Sequence, residues 1–121
     1  MDKISSHNIW IVEDDKLFKE SLEDLIQYES AFRLIHSVDS VEKALQGFTY
    51  QSPPDVILQD IGLPGMSGIE AVPIYKQQFP EVSIIMLTIF DDDERVFDAI
   101  KAGADGYLLK RTPGEEIIKG I

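Results

Sequence analysis

The chain has 121 residues, 44% of them hydrophobic and 27% charged, which is the size of a single domain and excludes a multidomain enzyme. Its 22 acidic residues against 11 basic ones leave a net charge of -11, which argues against direct binding to DNA, RNA or an anionic membrane and points to a protein or metal partner. Cysteine is absent, which excludes a disulfide framework, a thiolate metal site and a cysteine nucleophile. The apolar runs are far shorter than a membrane span, and residues 1–7 lack the apolar core of a signal peptide, so the sequence reads as cytoplasmic.

In chain order, five runs rich in β-branched and apolar residues predict strands at residues 8–12, 32–38, 55–59, 82–88 and 106–109. Stretches with helical spacing separate them. Leu17, Phe18, Leu22, Leu25 and Ile26 mark one apolar helical face, and Val41, Ala44, Leu45 and Phe48 a second. Val96, Phe97, Ile100 and Lys101 mark a later one, ended by Gly103. Ser67 with Glu70, and Thr112 with Glu115, each fit a capping box, and Pro113 fits the first helical position. Pro73 falls inside the third helix and predicts a kink or a loosened first turn. No internal repeat, low-complexity tract or linker interrupts this order.

Runs such as Val56-Ile57-Leu58 are apolar throughout, as strands buried on both faces require, so the fold class is a doubly wound α/β domain with a parallel sheet. Right-handed crossovers favour the flavodoxin-like five-stranded order 2-1-3-4-5, which leaves a crevice beyond the carboxyl ends of the first and third strands. The last helix begins near Pro113 and runs barely two turns to Ile121, so it is expected to be truncated.

The residues just past the strands carry the chemistry. Glu13, Asp14 and Asp15 come after the first strand and Asp60 after the third; Thr88 ends the fourth, and Lys110 comes after the fifth. Singly each has an ordinary reading as a cap, a turn residue or a solvated cation. Together the topology gathers them at one crevice, and they comprise the carboxylates, hydroxyl and cation needed to hold a divalent metal and a phosphoryl group.

Two carboxylates about 4 Å apart repel by about 4 kcal/mol at an effective dielectric near 20, so Glu13, Asp14 and Asp60 require a cation. Magnesium suits an all-oxygen set, with Mn2+ able to substitute, and no histidine or cysteine favours zinc. Asp60 is then the candidate carboxylate nucleophile. The glycine-rich loop from Ile61 to Gly68 can bring backbone carbonyls close to the metal.

These residues resemble the receiver domains of two-component response regulators. The resemblance covers essentially all of residues 1–121 and is carried by Ile11-Val12-Glu13-Asp14-Asp15, the segment from Asp55 to Gly68, Leu87-Thr88, and the segment from Ala99 to Lys110. The stretch from Asp91 to Lys110 is similar to the LuxR/NarL-type subfamily. That resemblance implies a phosphorylation-activated switch, not a turnover enzyme, in which Asp60 accepts a phosphoryl group from a sensor histidine kinase. It implies Asp14 as a direct Mg2+ ligand, Glu13 acting through a water, and Gly62 supplying a backbone carbonyl. Asp15 would cap the first helix. Thr88 and Lys110 would contact the phosphoryl oxygens, and Tyr107 would move inward with Thr88. The resemblance further implies homodimerisation on phosphorylation and a C-terminal helix-turn-helix output domain, absent from these residues, through which alone DNA is bound.

Three positions bear on rate. Ile89 is bulky for the position after Thr88, Phe90 offers no group to place an attacking water, and Gly62 has no side chain, so self-dephosphorylation is expected to be slow. Gln59 is unusual in a buried strand, where alternation turns it away from the Asp60 side chain. Competing readings fit less well. A flavodoxin-like cofactor protein needs a phosphate-receiving loop where Glu13-Asp14-Asp15 stands, and an aspartyl phosphatase needs its nucleophile where Glu13 stands. The remaining alternative is a phosphorylation-independent interaction module with the same fold.

Overall fold

The computed structural model describes residues 6–49 and 51–121. Most of the amino-terminal stretch that lacks a signal peptide's apolar core, residues 1–5, therefore lies outside the described residues. The elements run β1 His7–Val12, α1 Lys16–Tyr28, β2 Phe32–Val38, α2 Val41–Gln46, β3 Val56–Gln59, α3 Gly68–Gln78, β4 Ser83–Thr88, α4 Asp93–Ala102, β5 Gly106–Leu109 and α5 Gly114–Gly120. All four strand pairings are parallel, in the order β2-β1-β3-β4-β5. This is the predicted topology, and it places β1 and β3 side by side with their carboxyl ends at one edge.

Strand alternation divides the core in two. Ile9, Ile11, Val56, Leu58, Ile85 and Leu87 pack with Leu22 and Ile26 of α1 and Ile117 of α5. Trp10, Val12, Ile57, Ile84 and Met86 pack on the other face with α2, α3 and α4 through residues including Ala44, Val72, Tyr75 and Ala99. Burial on both faces is why these strands are apolar along their whole length.

Cap chemistry fixes several helix starts. Asp15 accepts from the Phe18 N–H at 3.1 Å, as expected for the first helix. Ser67 and Glu70 complete the predicted capping box, so the first turn of α3 is closed, not loosened. The helix continues through Pro73, whose exposed position leaves the interrupted bond on the solvent side. Gly103, at φ 116°, ends α4 in the left-handed region that glycine tolerates.

Three expectations are corrected. The Thr112–Glu115 box does not form. Pro113 is itself the N-cap, its carbonyl accepting from the N–H groups of Glu116 and Ile117, while the Thr112 N–H turns back to Leu109. Pro113 is extended, at ψ 144°, so it takes the cap geometry itself and the helix starts one position later than expected. On α4, Ala99 faces the core, whereas Phe97 and Ile100 are exposed, because the small side chain permits close approach. Leu17 is likewise exposed, outside the face of α1 set by Leu22 and Ile26.

The β4–β5 junction is held by Asp105, whose carboxylate accepts from the Ile84 N–H at 2.8 Å and from Lys76 Nζ at 2.7 Å. Lys76 also donates to the Val82 carbonyl. Asp105→Ala strips two partners at once and is expected to cost about 2 kcal/mol. Urea denaturation checks this, and a loss below about 0.5 kcal/mol would contradict it.

Candidate functional site

Backbone bonds extend the sheet one residue past its strands and so place the polar side chains. Glu13 N–H donates to Val38, Asp60 N–H to Val12 and Lys110 N–H to Thr88, at 2.9, 3.0 and 2.8 Å. The carboxyl edge of the sheet therefore gathers Glu13, Asp60 and Lys110 on rigid strand ends, with Asp14 and Asp15 leading into α1.

Lys110 Nζ lies 2.8 Å from Glu13 Oε2 and 3.0 Å from Asp60 Oδ2. Asp60 Oδ1 accepts from the Ile61 N–H at 2.7 Å, and Glu13 Oε2 also accepts from the Asp15 N–H at 2.9 Å. Carboxylate oxygens of Glu13, Asp14 and Asp60 lie within 4.8 Å of one another. Glu13 and Asp60 are buried, whereas Asp14 is exposed. This is a partly neutralised anionic cluster, with one ammonium against three carboxylates.

That imbalance sets the electrostatics. Burial, reinforced by the Asp60 charge, pushes the Glu13 carboxyl up to about 7, against the pull of Lys110 and the Asp15 N–H. Burial disfavours the Lys110 ammonium, but its bonds to Glu13 and Asp60 outweigh that and hold its pKa above the ordinary lysine range. An oxygen-only set of this charge fits a hard divalent cation, as the sequence suggests.

A cleft of about 320 Å³ opens beside the cluster, lined by Asp14, Asp15, Asp60, Gly62, Ile89, Phe90 and Lys110. Thr88 is fully buried, and its Oγ1 accepts a long bond of 3.5 Å from the Phe90 N–H. Ile89 is 69% exposed at the rim, so it borders the cleft and does not plug it. The Phe90 ring covers Gly62 so closely that a Cβ there would lie 3.0 Å from Phe90 Cε2. Arg95 stacks on the same ring, 4.1 Å from its centre. Tyr107 is half-buried against the core and donates to the Phe90 carbonyl at 2.6 Å.

Each residue expected at the site is thus at this edge, with Tyr107 reaching it through the Phe90 carbonyl. Others were not expected. Glu42 of α2 accepts from the Met66 N–H at 2.9 Å and anchors the loop after Asp60. Gln59, fully buried, donates from Nε2 to the Asp60 carbonyl at 2.9 Å and accepts from the Tyr75 hydroxyl at 2.6 Å. The sequence signal for Gln59 is its polarity inside an apolar strand; Glu42 carries no comparable signal.

A doubly wound parallel sheet with three carboxylates and a lysine at its switch-point edge defines a class of α/β domains with an acidic crevice. The sequence profile of the response regulator receiver domain matches residues 9–121, and the chain belongs to that family. It is 34% identical over 113 residues to the transcriptional regulatory protein DegU of Brevibacillus brevis, covering 93% of this chain and 48% of DegU. It is 32% identical over 114 residues to the oxygen regulatory protein NreC of Staphylococcus epidermidis, covering 93% of this chain and 52% of NreC. A LuxR-family two-component response regulator from Aurantimonas sp. SI85-9A1 superposes with a TM-score of 0.86 at 25% identity, over 95% of this chain and 81% of that one. The domain is a receiver of the LuxR/NarL type, and the chain spans about half the length of DegU and NreC.

Proposed function

We propose that this receiver is a phosphorylation-operated switch in which Asp60 takes a phosphoryl group from a phosphohistidine of a sensor histidine kinase. The observation that carries this reading is the setting of the Asp60 carboxylate. One oxygen is held by the Ile61 N–H and the other lies 3.0 Å from Lys110 Nζ, beside Glu13 and Asp14. A carboxylate oxygen of Asp60 attacks phosphorus, the phosphorus–nitrogen bond to the histidine breaks, and an acyl phosphate forms. The displaced imidazole keeps the electron pair of the broken bond.

Asp14, Asp60 and the Gly62 carbonyl would hold Mg2+, with Glu13 acting through a water; Mn2+ has the same oxygen preference. The ion supplies positive charge that offsets the meeting of two anions. Lys110 supplies the fixed cation on the protein side. Thr88 and Lys110 then bind the phosphoryl oxygens. Two charge-assisted bonds contribute about 3 to 6 kcal/mol, against about 5.5 kcal/mol needed to move a switch from 1:99 to 99:1. The loop after Thr88 and α4 would move, and Tyr107 would move inward with Thr88. In the longer protein this would govern a helix-turn-helix output domain and transcription, through a homodimer that forms on phosphorylation. The domain acts in the cytoplasm and consumes itself as acceptor, so it is not a turnover enzyme. Among the described residues no helix is long and apolar enough to cross a membrane.

Incubation with a small acyl phosphate tests the reading. A base-labile adduct should form with Mg2+ and not with a chelator; no adduct under either condition would favour a phosphorylation-independent interaction module. The Phe90 ring over Gly62 shields the site from an attacking water and offers that water no acceptor. Phe90→Glu is expected to shorten the phosphoryl lifetime about 100-fold, the low end for a general base. An equal or longer lifetime in the variant would contradict this.

A further inference from the structure

We propose that Gln59 and Tyr75 form a positioning pair for Asp60. This inference rests on the reading of Asp60 as phosphoacceptor. The geometry is a clamp on one peptide unit. The Asp60 carbonyl and the Ile61 N–H belong to the same planar group, so fixing one end fixes the other. Gln59 Nε2 holds the carbonyl end at 2.9 Å. The N–H end donates to Asp60 Oδ1 at 2.7 Å. The plane of the acceptor carboxylate, and the direction of Oδ2 toward Lys110, are therefore set by a side chain on the opposite face of the strand.

Tyr75 completes the clamp. An amide side chain can flip end for end, which would present Oε1 to a carbonyl and repel it. The Tyr75 hydroxyl donates to Oε1 at 2.6 Å and so selects the orientation with Nε2 toward Asp60. Both residues are fully buried, and the strand neighbours of Gln59 are Val12 and Met86, which offer no side-chain competitor for these bonds. Gly68 leaves the carbonyl its place, since a Cβ there would lie 1.8 Å from the Asp60 oxygen.

Two polar groups bonded only to each other in a core can be exchanged for an apolar pair at little cost, but Gln59 also serves the Asp60 carbonyl. An apolar pair would therefore release the Asp60 carbonyl and with it the Ile61 N–H.

The test compares wild type, Gln59→Leu, Tyr75→Phe and the double variant in three measurements: urea stability, phosphoryl uptake at saturating acyl phosphate with Mg2+, and hydrogen exchange of the Ile61 amide without metal. Each single variant leaves a partner unpaired and loses stability, while the double variant regains only the share due to the Gln59–Tyr75 bond, because the Asp60 carbonyl stays without its donor. Uptake in the double variant remains about tenfold slow, the scale of a slightly misplaced nucleophile, and its Ile61 amide exchanges about tenfold faster than in wild type. Tyr75→Phe, the mildest change, shows the faster Ile61 exchange even where the Gln59 variants fold poorly. A double variant with wild-type stability, uptake and Ile61 protection overturns the proposal. Absence of uptake in wild type overturns the phosphoacceptor reading instead, and Ile61 exchange then still decides whether the pair positions this peptide.

Discussion

Gly68→Ala is expected to lower the rate of phosphoryl uptake about 100-fold, the cost of misplacing a reacting group by about 1 Å. A Cβ on Gly68 would lie 1.8 Å from the Asp60 carbonyl oxygen and 2.8 Å from its carbon. Both are backbone atoms, so no side-chain rotation relieves the clash. Either the start of α3 moves away or the Asp60–Ile61 peptide shifts, and the second displaces the carboxylate itself. Overpacking of this kind costs about 3 kcal/mol, and the better helix propensity of alanine returns about 1 kcal/mol, for a net loss near 2 kcal/mol. Gly106→Ala is the control, because a Cβ there meets nothing closer than 3.5 Å. Uptake kinetics and urea denaturation of both variants check this. A Gly68→Ala protein that takes up phosphoryl at the wild-type rate would contradict it.

Lys110→Met is expected to cost the metal-free protein about 3 to 5 kcal/mol, the usual penalty for removing one partner of a buried ion pair. The ammonium is the one cation within 3.0 Å of both Glu13 and Asp60 among the described residues, and all three side chains are largely buried. Methionine keeps an unbranched stem of similar length and removes the charge, which lies 4.9 Å from the centre of the Phe18 ring. Mg2+ binding to the folded state alone stabilises it by mass action, and the variant's three carboxylates, no longer offset by the ammonium, should bind the ion more tightly than wild type. The deficit measured in urea should therefore narrow as Mg2+ is raised. A deficit independent of Mg2+ would contradict placement of the ion among these carboxylates. The variant also retains only Thr88 as a phosphoryl ligand. With about 1.5 to 3 kcal/mol available in place of about 3 to 6, it should accept the phosphoryl group yet fall short of the activated state.

Much of this is legible in the sequence because it depends on local chemistry. The apolar strands, the acids directly after the first and third of them, the Asp15 cap, the Ser67–Glu70 box and Gly103 all act within a few residues of themselves, and topology then brings the site together. What escapes is what depends on partners distant in the chain. Periodicity marks Phe97 and Ile100 as apolar but does not say that Ala99 will be the side of α4 pressed against the sheet. Alternation places the Gln59 side chain beneath Asp60 without revealing that Tyr75, sixteen residues on, will orient its amide. The Arg95 stack on Phe90 pairs a helix with the preceding loop, and spacing alone does not show which face of the ring is covered. At Pro113 the error is one residue, because Pro113 takes the extended cap conformation itself and leaves Gly114 as the first helical residue.

Four of the exposed apolar residues lie near the acidic cleft or on α4. Leu17 and Ile89 are 77% and 69% exposed. Ile89 lines the acidic cleft, and Leu17 stands two residues after the Asp15 cap. Phe97 and Ile100 lie farther along α4, on the element proposed to move.

The central claim is that Asp60, and no other carboxylate of this acidic chain, receives the phosphoryl group. Mass-spectrometric mapping of the adduct formed with an acyl phosphate and Mg2+, in wild type and in Asp60→Asn, tests it most directly. One adduct is expected on the peptide containing Asp60 in wild type and none in the variant. An adduct of equal yield in Asp60→Asn, or one mapped to Glu13 or Asp14 in wild type, would contradict it.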